Sequence, residues 1–370
     1  MTEVRTTARR AGPAILALAA LDAAGYSVIT PTLPAIADAA DAGPALIGGL
    51  VATFPAGMLV GFALAGPGVR RGRTREVLAA SLAVIALGCL GFVWSDDLGV
   101  YFAARTTMGL GSGGLWMGVT FATLERSPGR EYVGMAQVLA AYSAGSLIGP
   151  ALGAIGGVRG PFAAYLALVA AGFVAALALR PPAQRRTFQS DRTALRLPGF
   201  WLACAAELVA VIGLGLIEGV LPLHLSSALE QAQIAGLYVG LALLVAVAAL
   251  AAGRISPGAA IAAGTALMVA GIVISGPTGA VWLWIAALAL AGFGFGLADT
   301  GSVGLLLESV ETERIVTAMI VWSQIGIAGY LIGPVAGGAV AETLSFDWIG
   351  IVPLAAAAAL AVFALALRRR

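Results

Sequence analysis

The sequence is short of charge, histidine and cysteine, and it has no lysine at all. Charged residues make up 11% of 370 positions, against about 25% in an ordinary soluble domain. With 60% hydrophobic residues and a mean hydropathy of +0.96, that shortage excludes a soluble enzyme, a nucleic-acid-binding protein and a disordered chain. A single histidine, His224, leaves no set for a zinc site or a nucleophilic triad. The two cysteines, Cys89 and Cys204, both fall inside apolar runs, so a disulfide framework is not expected. No nucleotide loop, HExxH or lipid-phosphate motif is present, and no cofactor or metal is expected. All 21 basic residues are arginine, as a GC-rich coding sequence would produce, and net charge is only +2. So small a net charge selects no partner; only its distribution informs.

What is abundant is long apolar runs. A bilayer core of about 30 Å needs roughly 20 apolar residues per crossing. Runs lie near 12–35, 44–66, 77–94, 98–123, 132–157 and 161–179, then 198–223, 233–252, 257–275, 280–306, 315–341 and 348–367. Arg5, Arg9 and Arg10 before the first run resemble a signal peptide's n-region. The run continues through Asp22 to Pro34, too long for an h-region, and is expected to be a retained helix. The expected fold is an all-α polytopic membrane protein with twelve transmembrane helices.

Arginine placement sets the orientation. Arg5, Arg9 and Arg10 precede the first span; Arg70, Arg71, Arg73 and Arg75 follow the second; Arg126 and Arg130 follow the fourth. Arg180, Arg185, Arg186, Arg192 and Arg196 follow the sixth, and Arg254, Arg314 and Arg368 to Arg370 fall on the same side. Alternate loops carry Asp38, Asp41, Asp96, Asp97, Glu230, Glu342 and Asp347 instead, with Arg159 the one exception. The positive-inside rule then puts both termini in the cytoplasm, across a cell inner membrane.

The polar stretch 181–197 divides the chain into six-helix bundles at 1–180 and 198–370. The halves repeat. Arg130, Met135, Gly145, Leu147-Ile148-Gly149-Pro150 and Gly153 recur as Arg314, Met319, Gly329, Leu331-Ile332-Gly333-Pro334 and Gly337. Leu33-Pro34 and Leu221-Pro222 echo each other more weakly. Duplicated halves are a transporter architecture, with the substrate site between the repeats near mid-membrane. Glycines four apart let a neighbouring backbone approach closely, and the in-register prolines predict a bend at the interface between the bundles.

The fifth-span motif Gly145-x-x-x-Gly149-Pro150-x-x-Gly153 resembles the antiporter signature of the major facilitator superfamily, in its twelve-helix drug:proton branch. Arg105-x-x-x-Gly109-x-Gly111 is similar to that superfamily's fourth-helix arginine motif. Leu21-Asp22 through Leu33-Pro34 looks like the first helix of the tetracycline-efflux type. Arg70, Gly72 and Arg73 fit the superfamily's loop between the second and third helices, but Val69 stands where its aspartate is expected. A latch using that carboxylate would need Glu76 as a substitute. None of these motifs fixes a substrate.

An ionisable side chain at a helix centre costs roughly 2.5–3.5 kcal/mol on insertion scales. The deep ones here are Asp22, Arg105, Glu207, Glu218 and Asp299, in spans one, four, seven, seven and ten. The resemblance implies that these spans line a central cavity. Asp22 reads as a proton carrier modulated by Arg105, or as a protonated carboxyl bonding a neighbouring helix. Glu207 and Glu218, three turns apart on one face, read as substrate or proton sites, though Glu218 lies near the outer end. Asp299 reads equally as a site or as helix-to-helix glue, and His224 as a surface residue or a titrating switch. Tyr26, Trp116, Phe293, Trp322 and Gln324 offer aromatic and amide contacts, or simply packing. Four acids against one arginine favour a cationic or zwitterionic substrate.

The resulting expectation is a monomeric secondary transporter whose partners are a small-molecule substrate, protons and membrane lipids, with no nucleic acid. It would export amphipathic or cationic compounds in exchange for protons. The alternative is a transporter of a sugar, amino acid or other metabolite with the same fold.

Overall fold

The computed structural model describes residues 12–127, 131–179, 193–311 and 314–368. The arginines expected to orient the chain at positions 5, 9, 10, 130, 180, 185, 186, 192, 369 and 370 lie outside the described residues, as does most of the stretch 181–197. The described residues form helices α1 Pro13–Ser27, α2 Leu33–Ala40, α3 Pro44–Arg70, α4 Thr74–Trp94, α5 Leu98–Arg126, α6 Glu131–Gly153 and α7 Arg159–Ala178. Then follow α8 Pro198–Gly219, α9 Leu221–Leu225, α10 Gln231–Ala252, α11 Pro257–Ser275, α12 Val281–Ser309, α13 Ile315–Thr343 and α14 Ile351–Arg368.

Among the described residues, eleven spans are long and apolar enough to cross a membrane, counting α1–α2 and α8–α9 as one each. The twelfth is α5. Its 29 residues carry Arg105 and a run of glycine, serine and threonine that lowers its hydropathy. It is nonetheless packed between α3 and α4 in the same bundle.

The first and seventh spans are broken at matching places. α1 gives way to a 3-10 turn at Thr30–Thr32 before α2, and α8 ends at Gly219 before the short α9. Pro31, Pro34 and Pro222 supply the reason: each lacks the N–H that would bond the carbonyl one turn back.

Helix pairing repeats between the halves. α1 packs on α6 as α8 packs on α13, α3 on α5 as α10 on α12, and α4 on α5 as α11 on α12. The repeated glycine motif makes the first of these pairings possible. A Cβ on Gly145 would lie 2.0 Å from the Ala20 carbonyl oxygen, and one on Gly333 would lie 2.3 Å from that of Ile212. Gly149 and Gly153 continue the first face against Ser27 and Pro31, while Gly329 and Gly337 meet Val211 and Leu216. Pro150 and Pro334 both sit within continuous helices.

The halves meet mainly through α3 with α13 and α6 with α10. The hydrogen bonds that Ala45 and Gln231 make between the halves lie at the end of the bundle away from the chain termini. The Ala45 N–H, in the first turn of α3, donates to Glu342 Oε2 at 2.8 Å. Gln231 Nε2 donates to the Gly153 and Gly157 carbonyls at 2.8 and 2.9 Å, and Gln231 Oε1 accepts from the Gly157 N–H at 2.9 Å. Gly156 and Gly157 present that loop at φ of 91° and 62°, a region costly for side-chain-bearing residues.

At the opposite end Phe62, Trp116, Leu139, Met319 and Ser323 of the two halves line a small, largely apolar cleft between them.

Arg159, out of pattern by charge, pairs with Asp96 at an exposed site on the acidic end. Gly72 holds the α3–α4 turn at φ 72°. Arg70 and Arg73 are exposed there, and among the described residues neither they nor Glu76 form an ion pair. His224 is packed rather than free in solvent: its ring stacks on Phe346 at 4.7 Å, and Nε2 lies 3.1 Å from the Thr278 carbonyl.

Candidate functional site

Asp22, Arg105, Glu207 and Glu218 are 2%, 0%, 5% and 8% exposed. They form two groups rather than one. The first lies where α1 breaks. Arg105 Nη1 donates to the Gly25 carbonyl at 2.9 Å and Nη2 to the Tyr26 carbonyl at 2.6 Å. These are last-turn carbonyls of α1, where a helix end presents unpaired acceptors and partial negative charge. The guanidinium also lies over the rings of Phe54 and Tyr26, at 4.2 and 5.4 Å.

Arg105 and Asp22 form no ion pair. Among the described residues neither carboxylate oxygen of Asp22 completes a hydrogen bond, although the Ser112 hydroxyl is beside it. Glu218, buried on α8 of the other half, is near enough to interact electrostatically with Arg105, but among the described residues the two form no ion pair. Tyr26 meets Tyr330 of α13 at 4.5 Å between ring centroids and Phe54 at 5.5 Å. Tyr142 of α6 interacts with both Asp22 and Glu218, and its ring packs edge-on against Trp116, a cleft residue, at 5.1 Å. Trp116 and Tyr142 thus stand between the cleft and the tyrosine pair that bridges the halves.

The second group belongs to the C-terminal half. Glu207 Oε2 accepts from the Ser302 hydroxyl at 2.8 Å, and Ser302 in turn accepts from Trp322 Nε1 at 3.2 Å. The Asp299 carboxyl is within hydrogen-bonding reach of Glu207. Two carboxyl groups in such contact require a proton between them. Gly326 leaves room for this arrangement, since a Cβ there would lie 2.9 Å from Glu207 Oε1. Gln324 is half-buried on α13 near Trp322. Phe293 packs with Ala248 and Leu297 in a separate apolar cluster.

Ser112, Tyr142, Ser302, Gly326 and Tyr330 were not singled out from sequence. Each is a common residue in a small-residue-rich helix, and only Tyr330 adjoins a repeated motif. Among the described residues no histidine, cysteine and carboxylate cluster could hold a metal.

Two repeated helical bundles, joined at one end and cleft at the other around buried ionisable groups, define a polytopic membrane carrier. The family model described as Major Facilitator Superfamily matches residues 15–328, and the chain belongs to that superfamily. Its general role is therefore transport of small molecules across a membrane. The fold is similar to that of a bacterial homologue of the human lysosomal transporter Spinster, in an inward-facing and unoccupied conformation. That match has TM-score 0.70 and 15% identity, covering 96% of this chain and 91% of that one. It is also similar to a point mutant of the nucleoside transporter NupG, with TM-score 0.70, 14% identity and coverage of 96% and 98%. The xylose transporter XylE from E. coli, partially occluded and inward open, matches at TM-score 0.71 and 14% identity, covering 93% and 94%. No curated protein matches by sequence.

Proposed function

We propose that the protein is a proton-coupled antiporter of the cell inner membrane that exports small amphipathic or cationic compounds, working as a monomer with both termini in the cytoplasm. The observation that carries this reading is Asp22: a carboxyl buried on α1, with neither oxygen completing a hydrogen bond among the described residues although the Ser112 hydroxyl is beside it. A buried acid without a partner is a group whose protonation changes with its surroundings, and alternating access supplies that change. In this reading the cleft opens to the cytoplasm. Arg105 fixes the broken end of α1 beside Asp22, and Tyr26, Tyr142 and Tyr330 offer aromatic faces to a cation. The repeated glycine–proline motifs, the basic α3–α4 loop and the partition at 181–197 serve the movement of the halves.

The test is energised efflux of ethidium from an efflux-deficient bacterial host, comparing the parent with Asp22→Asn, each with and without an uncoupler. Loss of efflux by either route is expected. Efflux that ignores Asp22 but stops with the uncoupler would move the proton to the Glu207–Asp299 pair. No efflux at equal expression would turn the reading to a metabolite transporter.

A further inference from the structure

We propose that the turn between α3 and α4 is a docking surface for the headgroup of an anionic phospholipid, so that the bilayer surface supplies the negative charge the turn lacks.

The turn concentrates charge of one sign. Arg70, Arg71, Arg73 and Arg75 fill four of six consecutive positions, and all four are exposed. The backbone closes the turn without them. Gly72 takes φ 72°, the Arg71 and Arg73 N–H groups both donate to the Gly68 carbonyl at 3.1 Å, and the Gly72 N–H donates to that of Val69 at 2.9 Å. Among the described residues none of the four arginines forms an ion pair. Val69 before them is apolar and buried, and Glu76 after them is exposed and forms no ion pair either. Glu125, at the end of α5, meets the turn through the buried Thr74, whose hydroxyl donates to Oε1 at 3.5 Å.

Orientation in the membrane does not require this density. The counterpart turn of the second half, between α10 and α11, carries Arg254 alone. Four cations held this close repel one another, and a bound anion relieves the repulsion.

The apolar surface beside the turn identifies the anion. Val60 and Leu64 of α3 are 52% and 67% exposed, on the side of the helix opposite Phe62, which faces the cleft. Arg71 follows Leu64 by seven residues, two turns along the same face. An acyl chain lying on Val60 and Leu64 therefore brings its phosphate to the arginines, whose planar forks bind phosphate oxygens in pairs. Soluble phosphate has no use for the apolar stripe, and a zwitterionic headgroup brings a cation of its own. A phosphodiester lipid of net negative charge, such as phosphatidylglycerol or cardiolipin, satisfies both halves of the surface.

The experiment titrates the purified full-length protein in detergent with dioleoylphosphatidylglycerol or dioleoylphosphatidylcholine and counts bound lipids by native mass spectrometry. An arginine near an anionic surface contributes roughly fivefold in affinity, so the parent should prefer phosphatidylglycerol by about tenfold or more. Arg71→Gln combined with Arg73→Gln should weaken phosphatidylglycerol binding roughly twenty-five-fold, with phosphatidylcholine binding and the melting temperature in phosphatidylcholine unchanged. Arg254→Gln, at the counterpart turn, should leave both affinities as they are. Equal affinity of the parent for the two lipids would overturn the selection of an anionic headgroup. Retention of the preference in the double variant would remove it from this turn. Displacement of the lipid by an equal concentration of glycerol 3-phosphate would show a site for soluble phosphate and overturn the lipid assignment.

Discussion

Arg105 of α5 holds the broken end of α1 by hydrogen bonds to the Gly25 and Tyr26 carbonyls, 2.9 and 2.6 Å away, and not by pairing with Asp22 three residues before Gly25. A positioning role for the arginine follows. Hydrogen bonds to a charged donor contribute about 1.5–3 kcal/mol each, and buried acceptors left unpaired cost a similar amount. Arg105→Ala should lower stability by about 3 kcal/mol. Arg105→Lys should recover only part of that, because one ammonium cannot reproduce the planar fork. Thermal unfolding in detergent would show the order parent, Lys, Ala; a lysine variant as stable as the parent would refute the fork.

The glycine repeat makes a sharper packing prediction. Gly145→Ala and Gly333→Ala each place a methyl group within 2.3 Å of a neighbouring main-chain oxygen. Helices must separate to admit it, at about 1–3 kcal/mol. Gly236 and Gly240 on α10 have nothing within 4 Å of a built Cβ. Alanine there should be neutral or stabilising by up to about 1 kcal/mol, since glycine is a poor helix former. Melting curves of the four variants provide the comparison.

Gln231 joins the halves through three hydrogen bonds to the chain at Gly153 and Gly157. At about 1 kcal/mol each, Gln231→Ala should weaken this closure by about 2 kcal/mol or more, roughly thirty-fold in the ratio of closed to open. Spin labels at the exposed positions Asp97 and Ser227, on opposite halves at this end, should report a longer distance population in the variant. Glu342→Gln, which weakens the cap on α3, should act in the same direction and add to it.

Glu207→Gln should be tolerated, because the amide can donate to Asp299 and still accept from Ser302, so the contact no longer needs a shared proton. Its stability should lie within about 1 kcal/mol of the parent. Glu207→Ala leaves Ser302 and Asp299 without their buried partner and should cost about 2 kcal/mol. Equal melting temperatures for the two variants would show that the pair has no structural role.

Much of the fold was legible because a bilayer imposes its dimensions on the chain. Apolar run lengths gave the spans, and the recurrence of Leu-Ile-Gly-Pro marked the two halves. The breaks in the first and seventh spans were only hinted at by Pro34 and Pro222, since Val28, Ile29 and Val220 keep the runs apolar through them. Four of the five ionisable residues read as deep, Asp22, Arg105, Glu207 and Glu218, are buried, as their cost in lipid requires, while Asp299 is only half-buried. Their partners were not legible. Arg105 is met by main-chain oxygens, which every residue has, and Asp22 by nothing charged. Gln231 carries no signal in the sequence: its role depends on the distant Gly156-Gly157 turn, and no local pattern joins them.

The low hydropathy of α5 bears on how the chain enters the membrane. A 29-residue helix carrying a buried arginine and so many small polar residues gains little by partitioning into lipid alone. The acceptors for that arginine, at Gly25 and Tyr26, are synthesised some eighty residues earlier, so they are already available when α5 leaves the ribosome. Insertion of the fourth crossing is thereby made conditional on the first, and a chain whose α1 fails to lodge would strand α5 at the translocon, exposed to quality-control proteolysis.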